Sequence, residues 1–328
     1  MIKSIEALAF KIKYGFLLPI RKDIIGFLSS LFAPIGSYYT FCEVEKGVFG
    51  TSYLINFLSK FPILFIVGSF LFSVLMHRQS LNHNGYLGNK DVTVSLRMAN
   101  LLSLKETAVV IPTNTTFDTT MNSSFISEKS IQGQFQRKQY GVDFSELDEA
   151  IKKSLEEFYP DQYETLNDRL KTNRKRYGIG TVARVTRDKK HYYFLAVADV
   201  NRNGKPENVT MQSMVRALVG LWDFLSKEGY TEPIAVPVIG TGRAGLKDGT
   251  FEKVVHETIF SFIAKAQEEF VAKKMTICVY PQALSEANVT WKELCDYLDL
   301  QCRFGDENQR HAALSENAGI PLGLEASK

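Results

Sequence analysis

Two short segments carry residue types suited to a phosphorylated ligand. In Gly240-Thr241-Gly242-Arg243-Ala244-Gly245-Leu246, three glycines fall within six residues. Glycines let successive backbone N–H groups turn toward one centre, and such a nest ahead of a helix N-terminus suits a phosphate or pyrophosphate. The second segment, Asn114-Thr115-Thr116-Phe117-Asp118-Thr119-Thr120, is dense in amide, hydroxyl and carboxylate groups. Each residue also has a plainer role. Asp118 either accepts hydrogen bonds from a ligand or closes an Asx-turn. Phe117 anchors the loop or stacks on a base. Arg243 pairs with a phosphate or carboxylate, or is a solvated loop-tip charge. Thr241 bonds phosphate or caps the turn.

Both segments follow short apolar runs that read as buried strands, Thr107–Pro112 and Ile234–Ile239. Open α/β sheets place ligands at the carboxyl ends of such strands. Further strands are expected over Val92–Met98, Thr181–Arg187, Tyr192–Val200 and Met275–Tyr280. Helical spacing marks Phe144–Phe158, with Asp143 and Glu146 as a capping box, then Met211–Lys227 before Gly229, Phe251–Phe270 and Thr290–Leu298. The alternation predicts a three-layer α/β body over 91–304. Residues 81–90 read as a polar linker, and 305–328 as a tail without clear periodicity.

The formal net charge of +3 divides unevenly: the first 90 residues carry +5 and the remainder −2. Eleven of the 23 Phe lie in that basic head. Two apolar stretches lie at about 22–42 and 55–76; the first is of spanning length, the second reaches it if Lys60 snorkels, and Glu43-Val44-Glu45-Lys46 makes a polar turn between them. Residues 1–80 therefore read as a transmembrane hairpin, against the alternative of two buried helices in a soluble domain. The cations before the first stretch and after the second place both termini in the cytosol. The first residues are also amphipathic enough to lie on a membrane surface. Pro34 and Pro62 suit kinks, or Pro62 begins a helix. Small residues such as Gly36, Gly68, Ser30 and Ser69 permit close helix contact of the kind self-association uses, and are common in any membrane helix.

Other chemistry finds little footing. The four cysteines form no CxxC pair, and Cys278 reads as a buried small hydrophobe. His191 and His256 lie near no Ser or Cys motif. Arg174-Lys175-Arg176 reads as a solvated face, and with so mild a net charge no nucleic-acid partner is expected. Gly178-Ile179-Gly180-Thr181 reads first as the lead-in to a strand and second as a phosphate-facing turn.

The segment Ala99–Asn114, ANLLSLKETAVVIPTN, resembles without a gap the macro-domain pattern GDITKL-x-x-DAIVNAAN. Ile234–Leu246, IAVPVIGTGRAGL, resembles that family's second loop, VAFPAISTGIYGF. The likeness covers about residues 91–300. It implies a three-layer α/β/α macro domain with a mixed central sheet that binds ADP-ribose or a related nucleotide. By position it gives the distal ribose to Asn114, beside Thr115, Phe117 and Asp118. It gives the diphosphate to Gly240–Gly245, flanked by Ile239 and Leu246. Asn100 stands where many macro domains use Asp to read adenine, and an Asn oxygen still accepts that hydrogen bond. Two departures matter. The glycine-rich stretch after Asn114 is replaced by a longer Thr/Ser-rich one, whose end, Ile131-Gln132-Gly133-Gln134-Phe135, offers backbone donors instead. The usual aromatic of the second loop is Ala244, which opens room for a group beyond the distal ribose.

The head, the macro-like body, NTTFDT and IGTGRAGL together resemble the membrane–macro effector of the type II Thoeris anti-phage system. That resemblance implies a partner TIR-domain enzyme that makes histidine–ADP-ribose from NAD. It further implies sensing by the macro domain at the inner membrane, oligomerisation and membrane damage. No metal or resident cofactor is expected. The alternatives are a membrane-tethered ADP-ribosyl hydrolase, with Asn114 and Asp118 positioning water, and a passive ADP-ribose-binding module.

Overall fold

The computed structural model describes residues 2–88, 90–104, 108–121, 126–166, 173–201, 206–207, 209–240 and 245–317. The chain divides into Met1–Leu81 and Asn82–Lys328.

In the first unit, α1 (Ile2–Ile12) runs through a π-helical turn into α2 (Leu18–Lys22). The chain breaks at Asp23, whose Oδ1 accepts from Gly26 N at 2.9 Å and caps α3 (Ile24–Val44). The amphipathic start is therefore a helix of its own, and the long apolar helix begins after it. α3 passes through Pro34 and continues as a π-helical turn to Phe49. The expected turn at 43–46 is thus helical. The reversal instead follows Gly50, where φ is +65°, a conformation that costs glycine little. Glu45 caps the next helix, α4 (Tyr53–Lys60), accepting from Thr51 Oγ1 at 2.7 Å, Tyr53 N at 2.7 Å and Leu54 N at 2.9 Å.

The expected second stretch, 55–76, is not one helix. It breaks at Phe61, and Pro62 starts α5 (Pro62–Met76), the position a proline tolerates because its missing N–H has no partner there anyway. Residues 24–49 form a helix long and apolar enough to cross a membrane, with mean hydropathy 1.3, whereas α5 has only 15 residues. α3 and α5 pack together: Ser73 Oγ lies 2.5 Å from Ser30 Oγ and donates to Phe27 O at 2.8 Å. Tyr38 stacks at a tilt on Phe65, with ring centroids 4.9 Å apart.

The second unit is built on an eight-stranded sheet. Its strands are β1 (Asn82–Leu87), β2 (Val92–Met98), β3 (Ala108–Asn114), β6 (Val182–Arg187), β7 (Lys190–Val200), β8 (Pro206–Glu207), β9 (Ile234–Pro237) and β10 (Lys274–Val279). A separate pair, β4 (Tyr163–Thr165) and β5 (Lys175–Tyr177), forms a small arm. The main order is β1-β2-β10-β9-β3-β7-β6, with β8 on β7. The interior pairs β2–β10–β9–β3–β7 are parallel, and β1 and β6 are antiparallel edges. The expected three-layer architecture with a mixed sheet is therefore observed.

Apolar side chains fill both faces of the sheet. On one, Val109, Ile111, Tyr192 and Phe194 pack with Phe135 of α6 (Ile131–Tyr140) and Leu147, Ile151 and Leu155 of α7 (Ser145–Phe158). On the other lie α8 (Met211–Glu228), α9 (Phe251–Glu268) and α11 (Trp291–Asn317), with the short α10 (Pro281–Glu286) before it. Tyr193 of β7 turns to this second face and meets Phe224 of α8 edge-on, as strand alternation requires.

Three expectations need correction. The linker over 81–90 contains β1, paired residue for residue with β2. The helix expected to stop at Leu298 runs to Asn317, and so takes in much of the tail. These two elements bury one another: Gly85 of β1 sits under Cys302 and Leu298 of α11, and His83 Nε2 lies 2.8 Å from Asp299 Oδ1. Third, the capping box at α7 does not form. Phe144 is the N-cap, Asp143 Oδ1 accepts from Ser145 N at 3.0 Å, and Glu146 pairs with Arg187 at 2.8 Å.

Candidate functional site

β3 and β9 are neighbours in the sheet and both end toward the same edge. The loop after β3 is a closed hydrogen-bonded structure centred on Asn114. Its Oδ1 accepts from Thr116 N at 3.2 Å and Asp118 N at 3.1 Å. Its Nδ2 donates to Asp118 Oδ2 at 3.0 Å, and Thr116 Oγ1 donates to the same oxygen at 2.6 Å. Asn114 and Asp118 are both buried. The Asx-turn geometry expected as one reading of Asp118 is thus built around Asn114, whose amide sets the loop shape and orients the carboxylate.

Phe117 occupies the left-handed region at φ +51° and is buried, its ring edge-on to Tyr177 at 5.7 Å. That is the anchoring role; the ring is committed to the core. Thr115 is fixed from both sides. Its N donates to Ala198 O at 3.0 Å, its O accepts from Tyr177 N at 2.8 Å, and its Oγ1 donates to Asp199 Oδ1 at 2.8 Å.

The stretch Ile131–Phe135 is the first turn of α6, where a loop was expected. Ser130 is its N-cap and accepts from Gly133 N at 3.0 Å, so that donor is already used. Gly133 is glycine for a steric reason: a Cβ would lie 2.1 Å from Ser127 O. Ile131 is half-buried against the core, and Gln134 is exposed, its Nε2 donating to Lys129 O at 2.9 Å. Asn100 is exposed and caps a 3-10 turn over Leu101–Ser103, its Oδ1 accepting from Leu102 N at 3.0 Å. A carbonyl oxygen has a second lone pair, so that cap leaves acceptor capacity.

Of the glycine loop, Ile239, Gly240, Gly245 and Leu246 are described, whereas Thr241, Gly242, Arg243 and Ala244 lie outside the described residues. Gly240 and Gly245 both take positive φ, +80° and +55°, and Leu246 N donates to Gly240 O at 3.3 Å, closing the loop at its base. α9 begins five residues on, capped by Thr250. Gly180 belongs elsewhere: a Cβ there would lie 2.8 Å from Arg216 O of α8, so its role is close packing at the start of β6.

Several polar residues that support the first loop were not singled out from the sequence. Gln132 Nε2 donates to Asp118 O at 2.8 Å and Gln136 Nε2 to Thr119 O at 2.6 Å. Asn173 Nδ2, leading into the β4–β5 arm, donates to Thr116 O at 2.9 Å. Thr119 Oγ1 donates to Asp148 of α7. Burial pushes the Asp148 carboxyl above the usual carboxylate range, with the Thr119 bond opposing and the nearby Asp118 reinforcing the rise. The spacing of Gln132 and Gln136 marks one helix face, a signal readable only once 131–140 is known to be helical.

Residues 94–280 match the family described as Thoeris protein ThsA, Macro domain. Among curated proteins, none matches the chain significantly. Among solved structures, a macrodomain mutant from Oceanobacillus iheyensis aligns over 70% of this chain and 100% of its own, with 10% identity and a TM-score of 0.44. The Oceanobacillus iheyensis macrodomain with ADP aligns over 69% and 97%, with 12% identity and a TM-score of 0.42. Thermosipho africanus DarTG in complex with ADP-ribose aligns over 66% and 47%, with 15% identity and a TM-score of 0.38.

Proposed function

The chain belongs to the Thoeris ThsA macro-domain family, and from that membership we propose that it is a ligand-gated membrane effector of anti-phage defence. The body binds an ADP-ribose derivative made by a TIR-domain enzyme, and the ligand is histidine–ADP-ribose. Asn100 faces the adenine, Gly240–Gly245 the diphosphate, and Asn114 with Asp118 the distal ribose and what it carries. Ala244, small where the family pattern has an aromatic, leaves room for the distal amino acid. The head inserts in the inner membrane as a two-pass hairpin with both ends cytosolic.

One observation carries the reading. A family-matched body, with two ligand-type loops ending adjacent parallel strands, is fused to a head whose 24–49 helix is long and apolar enough to span a bilayer. A ligand shifts assembly only through different affinities for the resting and assembled states. Assembly of ligand-bound bodies gathers their heads in the membrane, and gathered heads breach it. The protein acts as a binder, and catalysis forms no part of this reading.

The test uses purified full-length chain in dye-loaded vesicles of anionic and zwitterionic lipid. Histidine–ADP-ribose should raise the oligomer size and release dye, with ADP-ribose weaker. Binding without a change in size or leakage rejects the effector mechanism. Release of free ADP-ribose from an ADP-ribosylated substrate establishes the hydrolase instead.

A further inference from the structure

We propose that Gln132 and Gln136 are positioning residues of the ligand site, holding the 114–119 loop by two of its backbone carbonyls so that Asn114 and Asp118 keep one arrangement. This rests on the functional reading above. The two glutamines lie one turn apart on α6 and share a face. Both are nearly inaccessible, at 3% and 0% exposure. Each sends its amide nitrogen to a consecutive carbonyl, Asp118 O at 2.8 Å and Thr119 O at 2.6 Å. The amide orientation follows from chemistry: reversed, each would set a carbonyl oxygen against a carbonyl oxygen.

The position of Gln136 argues for a role beyond stability. Its Oε1 is buried and has no hydrogen-bond partner among the described residues. A buried acceptor left in that state is costly, and an apolar side chain of similar size would avoid the cost. The benefit of the glutamine is the bond to Thr119 O, in the loop that orders Asn114. Phe135, between the two glutamines, is packed against Tyr192 and Phe194 with ring centroids 4.5 and 5.5 Å away. α6 is thereby fixed to the sheet, and the glutamines transfer that rigidity to the loop. Asn173 and Tyr177 hold the Thr116 and Thr115 carbonyls from the arm side. Four carbonyls of the loop are therefore gripped from outside it.

The experiment compares full-length wild type with Gln132→Glu, Gln136→Glu and Gln136→Leu. Glutamate has the shape of glutamine, but when ionised it has no proton to donate. Amide hydrogen exchange over 115–119 in the ligand-free protein should quicken at least tenfold in both Glu variants at pH 8. Calorimetry with ADP-ribose and histidine–ADP-ribose should show at least tenfold weaker binding at that pH. Burial favours the protonated acid, which regains a donor, so lowering the pH to 5.5 should restore much of the affinity in the Glu variants and none in Gln136→Leu. A merely structural role would lower the thermal midpoint of the Glu variants yet leave nucleotide affinity at wild-type level at temperatures where they stay folded. Gln136→Leu exchanges the unpaired Oε1 for a Thr119 carbonyl without its donor, so its thermal midpoint should stay near that of wild type, which keeps the test informative if a Glu variant does not fold. Unchanged loop exchange, or wild-type affinity in the variants, overturns the positioning role. Quickened exchange in the variants alongside a wild type that binds neither nucleotide upholds the clamp and rejects the functional reading.

Discussion

The Asn114 amide donates to the Asp118 carboxylate four residues along the same buried loop, at 3.0 Å. That single contact ties the residue expected to face a ligand to the acid beside it. Asn114→Asp replaces the donor with a second carboxylate. It should lower stability by about 1.5–3 kcal/mol, the worth of a hydrogen bond to a charged group, and abolish nucleotide binding. The introduced carboxyl titrates above the usual range because a like charge disfavours its ionisation. A folded pKa above the unfolded one means the penalty is full at neutral pH and vanishes as pH falls through the folded value. Denaturant midpoints of variant and wild type should therefore converge below about pH 4; a gap independent of pH would rule out the charge argument.

Gly85 offers a packing test in the same unit. A Cβ there would lie 2.5 Å from Cys302 Sγ and 3.1 Å from Leu298 Cγ. Gly85→Ala should destabilise by about 1–3 kcal/mol through overpacking. Adding Cys302→Ala should recover part of that loss, so the double mutant is more stable than the sum of the single effects. Strict additivity in thermal midpoints would mean that β1 and α11 are not pressed together at this point.

The same pair explains what the sequence hid. β2, β3, β7, β9 and β10 were legible because buried strands read as apolar runs. β1, NHNGYL, has none of that pattern; it is held by pairing with β2 on one side and by α11 lying over Gly85. The far part of α11 was equally invisible, since Gly305 interrupts the helical pattern. Its glycine fits because a Cβ would approach Leu87 Cδ2 to 3.0 Å. Each element takes its conformation from the other, which no local signal reports. At the site, the loop positions were legible from strand ends and glycine spacing. The gripping side chains were not, because Gln132, Gln136 and Asn173 converge only through the tertiary fold.

Gly240 tests the second loop. Its φ of +80° suits glycine, while the nearest obstacle to a Cβ is the end of the unbranched Met214 side chain, with Cε at 2.9 Å. Gly240→Ala should therefore cost about 1–2 kcal/mol, chiefly as backbone strain, and weaken nucleotide binding more than it lowers the thermal midpoint. Equal affinity in calorimetry would place the phosphate elsewhere.

His256 of α9 stacks on Tyr297 of α11, with ring centroids 3.6 Å apart and planes at 13°. Burial lowers its pKa from the ordinary 6.5, with Glu252 at 3.9 Å opposing. The sign follows from proton counting. Between the folded pKa and 6.5 the unfolded chain binds more protons, so stability is full above that window and falls as pH drops through it. His256→Phe keeps an aromatic on Tyr297 and removes the titration. Its unfolding midpoint should change less between pH 7 and pH 5 than that of wild type, and an identical slope would clear His256 of the effect.

The hairpin reading makes a topological claim that labelling can decide. All four native cysteines are buried and free, so an introduced thiol is the reactive one. Ser52 lies exposed at the reversal between α3 and α4, and Lys189 lies exposed in the β6–β7 turn. In a two-pass head with cytosolic ends, the reversal and the body face opposite sides of the membrane. A membrane-impermeant maleimide added to intact spheroplasts should label Ser52→Cys and spare Lys189→Cys, and lysis should expose the second. In that reading the cations that flank the apolar stretches set the orientation, whereas Lys46 is the nearest basic residue before the reversal. Labelling of both sites only after lysis would leave the head on the cytosolic side, lying on the membrane or folded apart from it, and would remove the two-pass mechanism.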